Sequence, residues 1–344
     1  MISRIQISNL IASRKAAPYP IKKGACLRPF MFVSLYKDYS APGKVLVRSC
    51  CDSWLSPLGK EETPSVTLSS FSLREVLSSP FYRALKKSVT DGSFIYCDKE
   101  KCPFFKDKEQ DFDYYHDLVQ GKHLKVELSF DDACNLTCPS CRNKASTSPS
   151  PYMLSIFNQL LQEDVSEIFL NGAGELFLNK DLLNRLRTLS PGDTPYLRKL
   201  HLITNASIFT PLQYNLLSDH TKALIKKVDI SLDSLDPETY SILRRGANLS
   251  TTMTNLKNLI SLRKSGALEE ISILVVIQKR NVQEIPEIFD FCESNGIDNL
   301  CLWKLDDRNH NLHENGITED QYIEVSQFLK EKKDTSKVRV ISSF

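Results

Sequence analysis

The chain has 344 residues, of which 41% are hydrophobic and 25% are charged, and its formal net charge is +2. This composition is typical of a globular protein with one large domain and room for a smaller one, and the nearly neutral charge gives no general argument for a nucleic acid or membrane partner. No apolar run approaches the roughly 20 residues that a transmembrane helix requires, and the start of the chain lacks the apolar core and cleavage site of a signal peptide, so we expect a cytoplasmic protein.

The first part of the chain is predicted to be rich in loops. Segment 36–51 has a Pro-Gly pair near its centre, which favours a hairpin, and segment 72–89 has the pattern of one or two short helices. A small unit of this kind needs a cross-link or a metal to hold it together. Half of the ten cysteines of the chain lie here: Cys26, Cys50, Cys51, Cys97 and Cys102. In a reducing compartment, clustered cysteines are more often metal ligands than disulfide partners.

Three further cysteines, Cys134, Cys138 and Cys141, have the spacing C-x-x-x-C-x-x-C directly after a predicted strand. A cubane iron–sulfur cluster takes four protein ligands, so three local thiolates leave one iron with an open position. Catalytic zinc sites likewise keep one coordination position open. Zinc is an alternative that would need His116 or His123, and neither has the usual zinc-finger spacing. Three buried cysteines without a metal are the third alternative, but the charged residues around them make a poor core.

Six strand-like segments alternate with helical patterns from about residue 124 onward. The strands are predicted at 124–130, 166–171, 197–205, 227–233, 271–278 and 298–305. This alternation indicates a parallel sheet, either an open wound sheet or a partial barrel. In both architectures, ligands bind at the carboxyl ends of the strands, which is where the cysteine triplet lies.

The segment CNLTCPSC, after the first of these strands, resembles the signature of the radical S-adenosylmethionine (SAM) enzymes. The resemblance implies that Cys134, Cys138 and Cys141 hold a [4Fe–4S] cluster whose fourth iron binds SAM. One electron from a low-potential donor such as flavodoxin or ferredoxin then cleaves SAM to a 5′-deoxyadenosyl radical, which abstracts hydrogen from a substrate. The family often has an aromatic residue before the last cysteine, where this chain has Ser140.

Two further segments resemble the SAM-binding motifs of this family, in the same order. NGAGELFLN resembles the glycine-glycine-glutamate motif, which makes Gly174 and Glu175 candidates for contacting the methionine amino group, although Leu176 stands where the family often has proline. ITNAS resembles the element after the third strand and makes Asn205 a further candidate. Each residue alone has an ordinary structural explanation, and the order of the motifs carries the inference.

The segment DISLDSLDPETYSILRRG resembles the fourth SAM-binding motif. The resemblance implies that Ser231 and Asp233 lie near the ribose and methionine parts of SAM. It also implies that Arg244, or its neighbour Arg245, pairs with the methionine carboxylate, which a guanidinium fork suits well.

The N-terminal cysteines resemble a SPASM-type auxiliary cluster module, which in most relatives follows the barrel instead of preceding it. The resemblance implies a second [4Fe–4S] cluster with four cysteine ligands: Cys26, Cys50, Cys97 and Cys102. Cys51 is an alternative to Cys50, because the sequence does not distinguish adjacent cysteines. A zinc ion with the same ligands is the alternative to the cluster.

We therefore expect an α/β fold, a partial (β/α)6 TIM-like barrel preceded by a small, loop-rich iron–sulfur domain. The SPASM-like domain is predicted to span 1–119 and the radical SAM barrel 120–310. A helix and a short strand in 311–344 would complete the barrel.

Two later cysteines differ in their expected roles. Cys292 lies in a helical pattern and is predicted to pack in the core. Cys301 shares a strand face with Trp303, and if that face lines the barrel interior its thiol is a speculative hydrogen donor to a substrate radical. His310 and His313 are predicted to lie in a solvated loop.

The expected activity is hydrogen abstraction from a C–H bond. SPASM-bearing relatives mostly modify peptides or proteins, so a peptide or protein is the first substrate class to consider. The alternative is an epimerase, dehydrogenase or decarboxylase that acts on a carbohydrate or nucleoside. The non-enzymatic alternative is an iron–sulfur electron carrier or scaffold, which would not need the SAM-binding residues.

Overall fold

The structure is a computed structural model that describes residues 26, 28–50, 54–102, 124–141, 146–170, 173–305, 312–333 and 335–342. Several residues singled out above lie outside the described residues: Cys51, His116, His123 and His310, together with the side chain of His313.

Ten strands are described. They are β1 (Phe32–Lys37), β2 (Lys44–Arg48), β3 (Ser65–Thr67), β4 (Leu124–Ser129), β5 (Val165–Leu170), β6 (Lys199–Thr204), β7 (Ile225–Ser231), β8 (Glu270–Ile277), β9 (Asn299–Lys304) and β10 (Arg339–Ser342). All six strands predicted from the alternating pattern are present, as β4 to β9, with bounds that differ by a few residues.

The described α-helices connect and follow these strands. They are α1 (Arg28–Met31), α2 (Pro57–Glu61), α3 (Leu73–Leu77), α4 (Pro80–Asp91), α5 (Met153–Gln162), α6 (Lys180–Thr188), α7 (Pro211–Asn215), α8 (Asp219–Leu224), α9 (Pro237–Leu243), α10 (Leu249–Lys264), α11 (Ile285–Asn295), α12 (Leu312–Asn315) and α13 (Glu319–Lys333). At least one helix follows each strand from β4 to β9, which is the predicted (β/α)6 alternation of a partial barrel.

Local sequence explains where several of these elements begin and turn. The β1–β2 hairpin turns at Gly43, whose φ of +78° is in the left-handed region that glycine adopts without strain. Helix α4 begins after Ser79, whose side chain accepts from the Tyr82 amide, and ends at Gly92 with a φ of +82°. Helix α9 begins after Asp236, which accepts from the Thr239 amide. The N-terminal hairpin and short helices therefore form as predicted.

The chain divides into two compact units. The first comprises the described residues up to Asp131 together with Ser150–Phe169 and Gly192–Lys199. Its strands run in the order β5-β4-β1-β2-β3, with β1 parallel to β4 and antiparallel to β2. The N-terminal hairpin therefore extends the sheet that begins with the first barrel strand.

The second unit comprises Asp132–Pro149, Leu170–Pro191 and the described residues from Leu200 onward. Its strands run in the order β6-β7-β8-β9-β10, and every neighbouring pair is parallel. This unit contains the cysteine triplet and each of the three later motifs, at the carboxyl ends of successive strands.

The parallel strands of the second unit have one apolar and one polar face. The apolar face is fully buried and includes Leu202, Val228, Ile271, Ile273 and Leu300. The other face carries polar side chains, including His201, Lys227, Asp229, Ser272 and Asn299. These polar groups bond to one another across strands: His201 Nε2 lies 2.8 Å from Asp229 Oδ2, and Asn299 Nδ2 donates to Ser272 Oγ at 3.1 Å. Helices α8, α10, α11 and α13 pack on strands β7, β8, β9 and β10, respectively.

None of the described helices combines the length and the hydrophobicity needed to span a bilayer.

Candidate active site

The triplet loop, which we define as residues 133–141, is in close backbone contact with the segment after β5. The Glu175 amide donates to the Ala133 carbonyl at 2.6 Å. A Cβ added at Gly174 would lie only 2.0 Å from the same carbonyl oxygen, so only glycine allows the two backbones to approach this closely. The glycine of the second motif therefore positions the triplet loop.

The three cysteines of the triplet loop differ in exposure. Cys134 and Cys138 are buried and pack with Leu136, whereas Cys141 is exposed. The Leu136 amide donates to Cys134 Sγ at 3.4 Å, and the Cys141 amide donates to the Cys138 carbonyl at 2.9 Å. Burial raises the pKa of Cys138, and the nearby Arg244 guanidinium opposes this effect. Two thiols thus lie inside the site and one at its surface.

Asn205, which follows β6, binds the triplet loop through its side chain. Its Nδ2 lies 3.9 Å from Cys134 Sγ and donates to Asn135 Oδ1 at 3.1 Å. Asn135 in turn donates to Ser207 Oγ at 2.9 Å. The third motif therefore lies against the first cysteine.

The carboxylate of Glu175 is buried and accepts three hydrogen bonds from the protein. Oε1 accepts from Thr204 Oγ1 at 2.8 Å and from the Phe177 amide at 3.3 Å, and Oε2 accepts from the Asn205 amide at 2.7 Å. Burial raises the pKa of this carboxyl, while the three donors oppose that shift. A carboxylate has about four acceptor positions, so one on Oε2 remains for a further donor.

Asp233, just beyond β7, is held in an unusual backbone conformation. Its φ is +65°, and its side chain is 1% exposed. Oδ1 accepts from the Val276 amide at 2.8 Å, and Asn281 Nδ2 donates to the Asp233 carbonyl at 2.8 Å. A non-glycine residue in this region costs energy that the surrounding bonds must offset, and such residues are frequent at functional sites.

Arg244 pairs with this aspartate. Arg244 Nη1 lies 3.2 Å from Asp233 Oδ2, and the arginine side chain is 11% exposed. The neighbouring Arg245 side chain is exposed, so of the two arginines it is Arg244 that lies in the site. Ser231 is half-buried at the end of β7, where it pairs with Leu274 of β8.

The donor set of this site suits an iron–sulfur cluster. In the described part of the chain, no three His, Cys, Asp or Glu side chains converge to metal-ligand distance. The residues nevertheless supply donors that suit such a cluster: three soft thiols on one loop and two hydrogen-bond donors to the Cys134 sulfur.

The described N-terminal cysteines of the first unit influence one another electrostatically. Burial is the largest cause that raises the pKa of Cys50, and charges on Cys97, Cys26 and Cys102 raise it further, whereas Arg28 lowers it. Burial raises the pKa of Cys97 to about 12, again with contributions from Cys26 and Cys102.

Cys97 and Cys102 are tied locally to the segment that contains Trp54 and Leu55. Leu55 and Cys97 form an isolated antiparallel bridge, and the Asp98 amide donates to the Trp54 carbonyl at 2.8 Å. The Cys102 amide donates to the Asp98 carbonyl at 2.9 Å. The close cysteine pair is thus held beside the segment that follows the hairpin.

Cys292 and Cys301 are both buried. Cys292 packs in α11, as predicted, and is 0% exposed. Cys301 lies on β9 between Leu274 of β8 and Ile341 of β10, on the polar face of the strands. Burial, aided by Asp229, raises the pKa of Cys301 to about 12, so its sulfur keeps its proton at neutral pH.

Two residues that hold the loop after β7 were not predicted. Glu284 accepts from Ser234 Oγ at 2.7 Å, from the Leu235 amide at 2.9 Å and from the Asp236 amide at 3.3 Å. Asn281 binds Asp233, as described above. Both residues are more than 40 positions away from the loop, and no local pattern identifies such a partner.

The comparisons with known proteins identify relatives over part of the chain. No protein-family model matches it. The GTP 3',8-cyclase of Marinobacter nauticus is 29% identical over 181 residues, which are 50% of this chain and 51% of the relative. The probable GTP 3',8-cyclase of Sulfurisphaera tokodaii is 24% identical over 222 residues, which are 63% of this chain and 66% of the relative. The chain therefore spans about half to two thirds of the length of these curated relatives.

A solved structure supports the same fold. SuiB of Streptococcus suis bound to S-adenosylmethionine aligns with a TM-score of 0.50 and 17% identity, over 86% of this chain and 73% of that one. At this level of identity the similarity concerns the fold alone. Together, the relatives, the fold and the four motifs confirm the family resemblance. The chain is therefore similar to radical SAM enzymes in sequence over part of its length and in fold.

Proposed function

We propose that the protein holds a [4Fe–4S] cluster on Cys134, Cys138 and Cys141, binds SAM beside it, and abstracts hydrogen from a C–H bond of its substrate. The observation that carries the proposal is the contact of three motif segments with one loop: the Glu175 amide donates to the Ala133 carbonyl, the Asn205 side chain lies against Cys134, and the Arg245 carbonyl, next to Arg244, accepts from the Thr137 amide. When bound, the cluster and SAM supply one-electron cleavage of SAM to a radical that abstracts hydrogen.

The protein's own groups orient the cofactor and stabilise charge. The Leu136 amide and the Asn205 side chain donate to Cys134 Sγ, which stabilises the thiolate that a cluster needs. The open acceptor position on Glu175 Oε2 suits the methionine ammonium, and Arg244 suits the methionine carboxylate. Ser231 and Asp233, at the end of β7, would lie beside the ribose and methionine parts. Burial of these groups excludes water from a reactive intermediate.

We infer a second [4Fe–4S] cluster on Cys26, Cys97 and Cys102 with Cys50, or Cys51 in its place. The electrostatic influence of the four described thiols on one another supports this inference. Four cysteines leave no open iron, so the roles that fit are electron transfer and stabilisation of a loop-rich region.

We propose a peptide or protein as the substrate, on the basis of the SPASM-like cysteines. A nucleotide is the second candidate, because the curated relatives are named as GTP 3',8-cyclases. In either case Cys301 is a candidate hydrogen donor to the substrate radical, since it lies on the polar strand face and keeps its S–H bond at neutral pH. The electron donor would be a flavodoxin or ferredoxin.

The test is anaerobic SAM cleavage. The reconstituted protein is incubated with SAM and dithionite, alone and with a panel of peptides and nucleotides, and 5′-deoxyadenosine is quantified. We expect product above the level of Cys138→Ala, with Cys292→Ala matching the unsubstituted protein. Product at the background level with every substrate, at full iron loading, would contradict the proposal.

A further inference from the structure

The polar face of the strands in the second unit changes character from the amino ends to the carboxyl ends. Partners in a parallel register lie on the same face of a sheet, so neighbouring strands can be compared level by level. The levels nearest the amino ends include six charged or polar side chains: His201, Lys227 and Glu270, followed by Asp229, Ser272 and Asn299. The next two levels pair Leu274 with Cys301 and Val276 with Trp303. The face therefore becomes largely apolar toward the carboxyl ends.

The charged levels are bonded within themselves. Lys227 Nζ pairs with Glu270 Oε1 and lies 3.6 Å from Asp229 Oδ1. The other oxygen of Asp229 lies 2.8 Å from His201 Nε2, and Asn299 Nδ2 donates to Glu270 Oε1 at 2.7 Å. The Lys227 ammonium thus has two carboxylates beside it. These groups supply one another with the partners that burial requires, without a ligand.

The apolar wall, which we define as Leu274, Val276, Cys301 and Trp303, is partly open. Leu274, Val276 and Trp303 are half-buried, whereas Ile273, on the opposite face of β8, is fully buried. Cys301 is 4% exposed. Covering exposed apolar surface is favourable, and an apolar patch beside a few polar groups is typical of a ligand-binding site.

The wall adjoins the loop that carries Asp233. The Val276 amide donates to Asp233 Oδ1 at 2.8 Å, and the Leu232 amide donates to the Leu274 carbonyl at 3.0 Å. Trp303 is the register partner of Val276 on the next strand. The wall is therefore a direct continuation of the fourth motif.

We propose that the apolar wall binds a large apolar side chain of a peptide substrate. The inference rests on the proposed function and makes its substrate class more specific. Trp303 offers an aromatic face, and Leu274 and Val276 offer aliphatic contacts, which together suit a phenylalanine or leucine side chain. Cys301, the register partner of Leu274, lies on the same wall.

The same wall is poorly suited to a nucleotide. A base that stacked on Trp303 would place its polar edge against Leu274 and Val276, whose side chains form no hydrogen bonds, and burying such groups unpaired is costly. A triphosphate needs cations, and the Lys227 ammonium on the same face already pairs with two carboxylates. The composition of the wall therefore favours a peptide over GTP.

Trp303→Ala removes the largest apolar surface of the wall. We expect it to weaken binding of a phenylalanine-containing peptide about tenfold, because burial of one large apolar side chain is typically worth such a factor or more. Trp303→Phe keeps an aromatic face and is expected to lose less. Leu212→Ala is the matched control, since Leu212 is an apolar residue of the same unit that is 65% exposed on α7.

The experiment is equilibrium dialysis of the full-length, anaerobically reconstituted protein in the presence of SAM. The probes are GTP and acetylated, amidated pentapeptides Gly-Gly-X-Gly-Gly, in which X is phenylalanine, leucine, alanine or glutamate. We expect the phenylalanine and leucine peptides to bind about tenfold more tightly than the other two peptides and GTP. Trp303→Ala is expected to remove this preference, and Leu212→Ala to keep it.

Four results would each overturn the proposal: equal affinity for the four peptides, tighter binding of GTP, no binding of any peptide, or a preference that Trp303→Ala leaves unchanged. Circular dichroism and iron content show whether Trp303→Ala folds. If it does not, Leu274→Ala decides, since a reduced preference supports the proposal and an unchanged one overturns it.

SAM cleavage, measured as 5′-deoxyadenosine in the same samples, separates this inference from the proposed function. Cleavage without a preference for the apolar peptides would overturn the inference and leave the proposed function intact. A preference that depends on Trp303, without cleavage, would support the peptide site and contradict the proposed activity.

Discussion

Gly174 is the position in the NGAGELFLN motif that is most sensitive to side-chain size. A side chain at this position would overlap a neighbouring backbone segment. An added Cβ would lie 2.0 Å from the Ala133 carbonyl oxygen and 2.7 Å from the Ala133 carbonyl carbon. Ala133 directly precedes the first cysteine of the triplet. This position therefore requires glycine because the triplet loop packs closely against it.

Gly174→Ala is expected to displace the triplet loop and to reduce the iron bound there. The clash involves backbone atoms, so it is not relieved by a side-chain rotation, and overpacking of this kind typically costs about 1–3 kcal/mol. The measurement is iron content and cluster absorbance after reconstitution.

Gly266→Ala is the matched control for this prediction. Gly266 has a φ of +80°, and an added Cβ there would meet no atom within 4 Å. The control therefore carries backbone strain without contact. Equal iron loading in Gly174→Ala and the unsubstituted protein would show that the close approach does not position the cysteines.

The loop between β7 and α9 is held in place by residues that are distant from it in the sequence. Its Asp233 has a positive φ, and Glu284, just before α11, accepts from both amides that follow Ser234. The loop carries the aspartate that orients Arg244. Its stability therefore affects the geometry of the candidate site.

Glu284→Gln is expected to loosen this loop. A carboxylate that accepts several bonds is replaced by a neutral amide with one acceptor oxygen, and such bonds are worth about 1–3 kcal/mol. We expect a lower unfolding temperature and weaker SAM binding, measured by thermal denaturation and by equilibrium dialysis. Glu287→Gln, exposed on α11, is expected to change neither. Equal effects of the two substitutions would show that Glu284 does not support the loop.

Sequence alone predicts elements and local motifs better than the contacts between them. The strands β4 to β9 and the cap at Asp236 follow from periodicity and from residue types that lie close together in the chain. The partners of Glu175 and Asp233 do not, because Thr204 and Val276 approach them only after the strands align. The antiparallel hairpin was predicted, but its parallel pairing with β4 was not, since residues about 90 positions apart meet there.

The whole molecule is expected to bind two clusters, one in each unit. A [4Fe–4S] cluster contains four irons, so full loading corresponds to about eight irons per chain. Cys97→Ala and Cys138→Ala are each expected to leave about four, whereas Cys292→Ala, buried in α11, is expected to leave about eight. The measurement is metal analysis of reconstituted protein.

Metal analysis also distinguishes the alternative for the N-terminal cysteines. About four irons and one zinc per chain, with the zinc lost in Cys97→Ala, would contradict a second cluster and support a structural zinc ion. Loss of all metal in Cys97→Ala alone would indicate that the first unit must fold before the triplet binds iron.

The central claim is that the triplet cluster has an open iron at which SAM binds. The most direct test is the electron paramagnetic resonance spectrum of the dithionite-reduced protein, recorded with and without SAM. We predict that SAM changes the spectrum of the signal that Cys138→Ala removes, and that the change persists in Cys292→Ala. An identical spectrum with and without saturating SAM, in protein with full iron loading, would contradict the account.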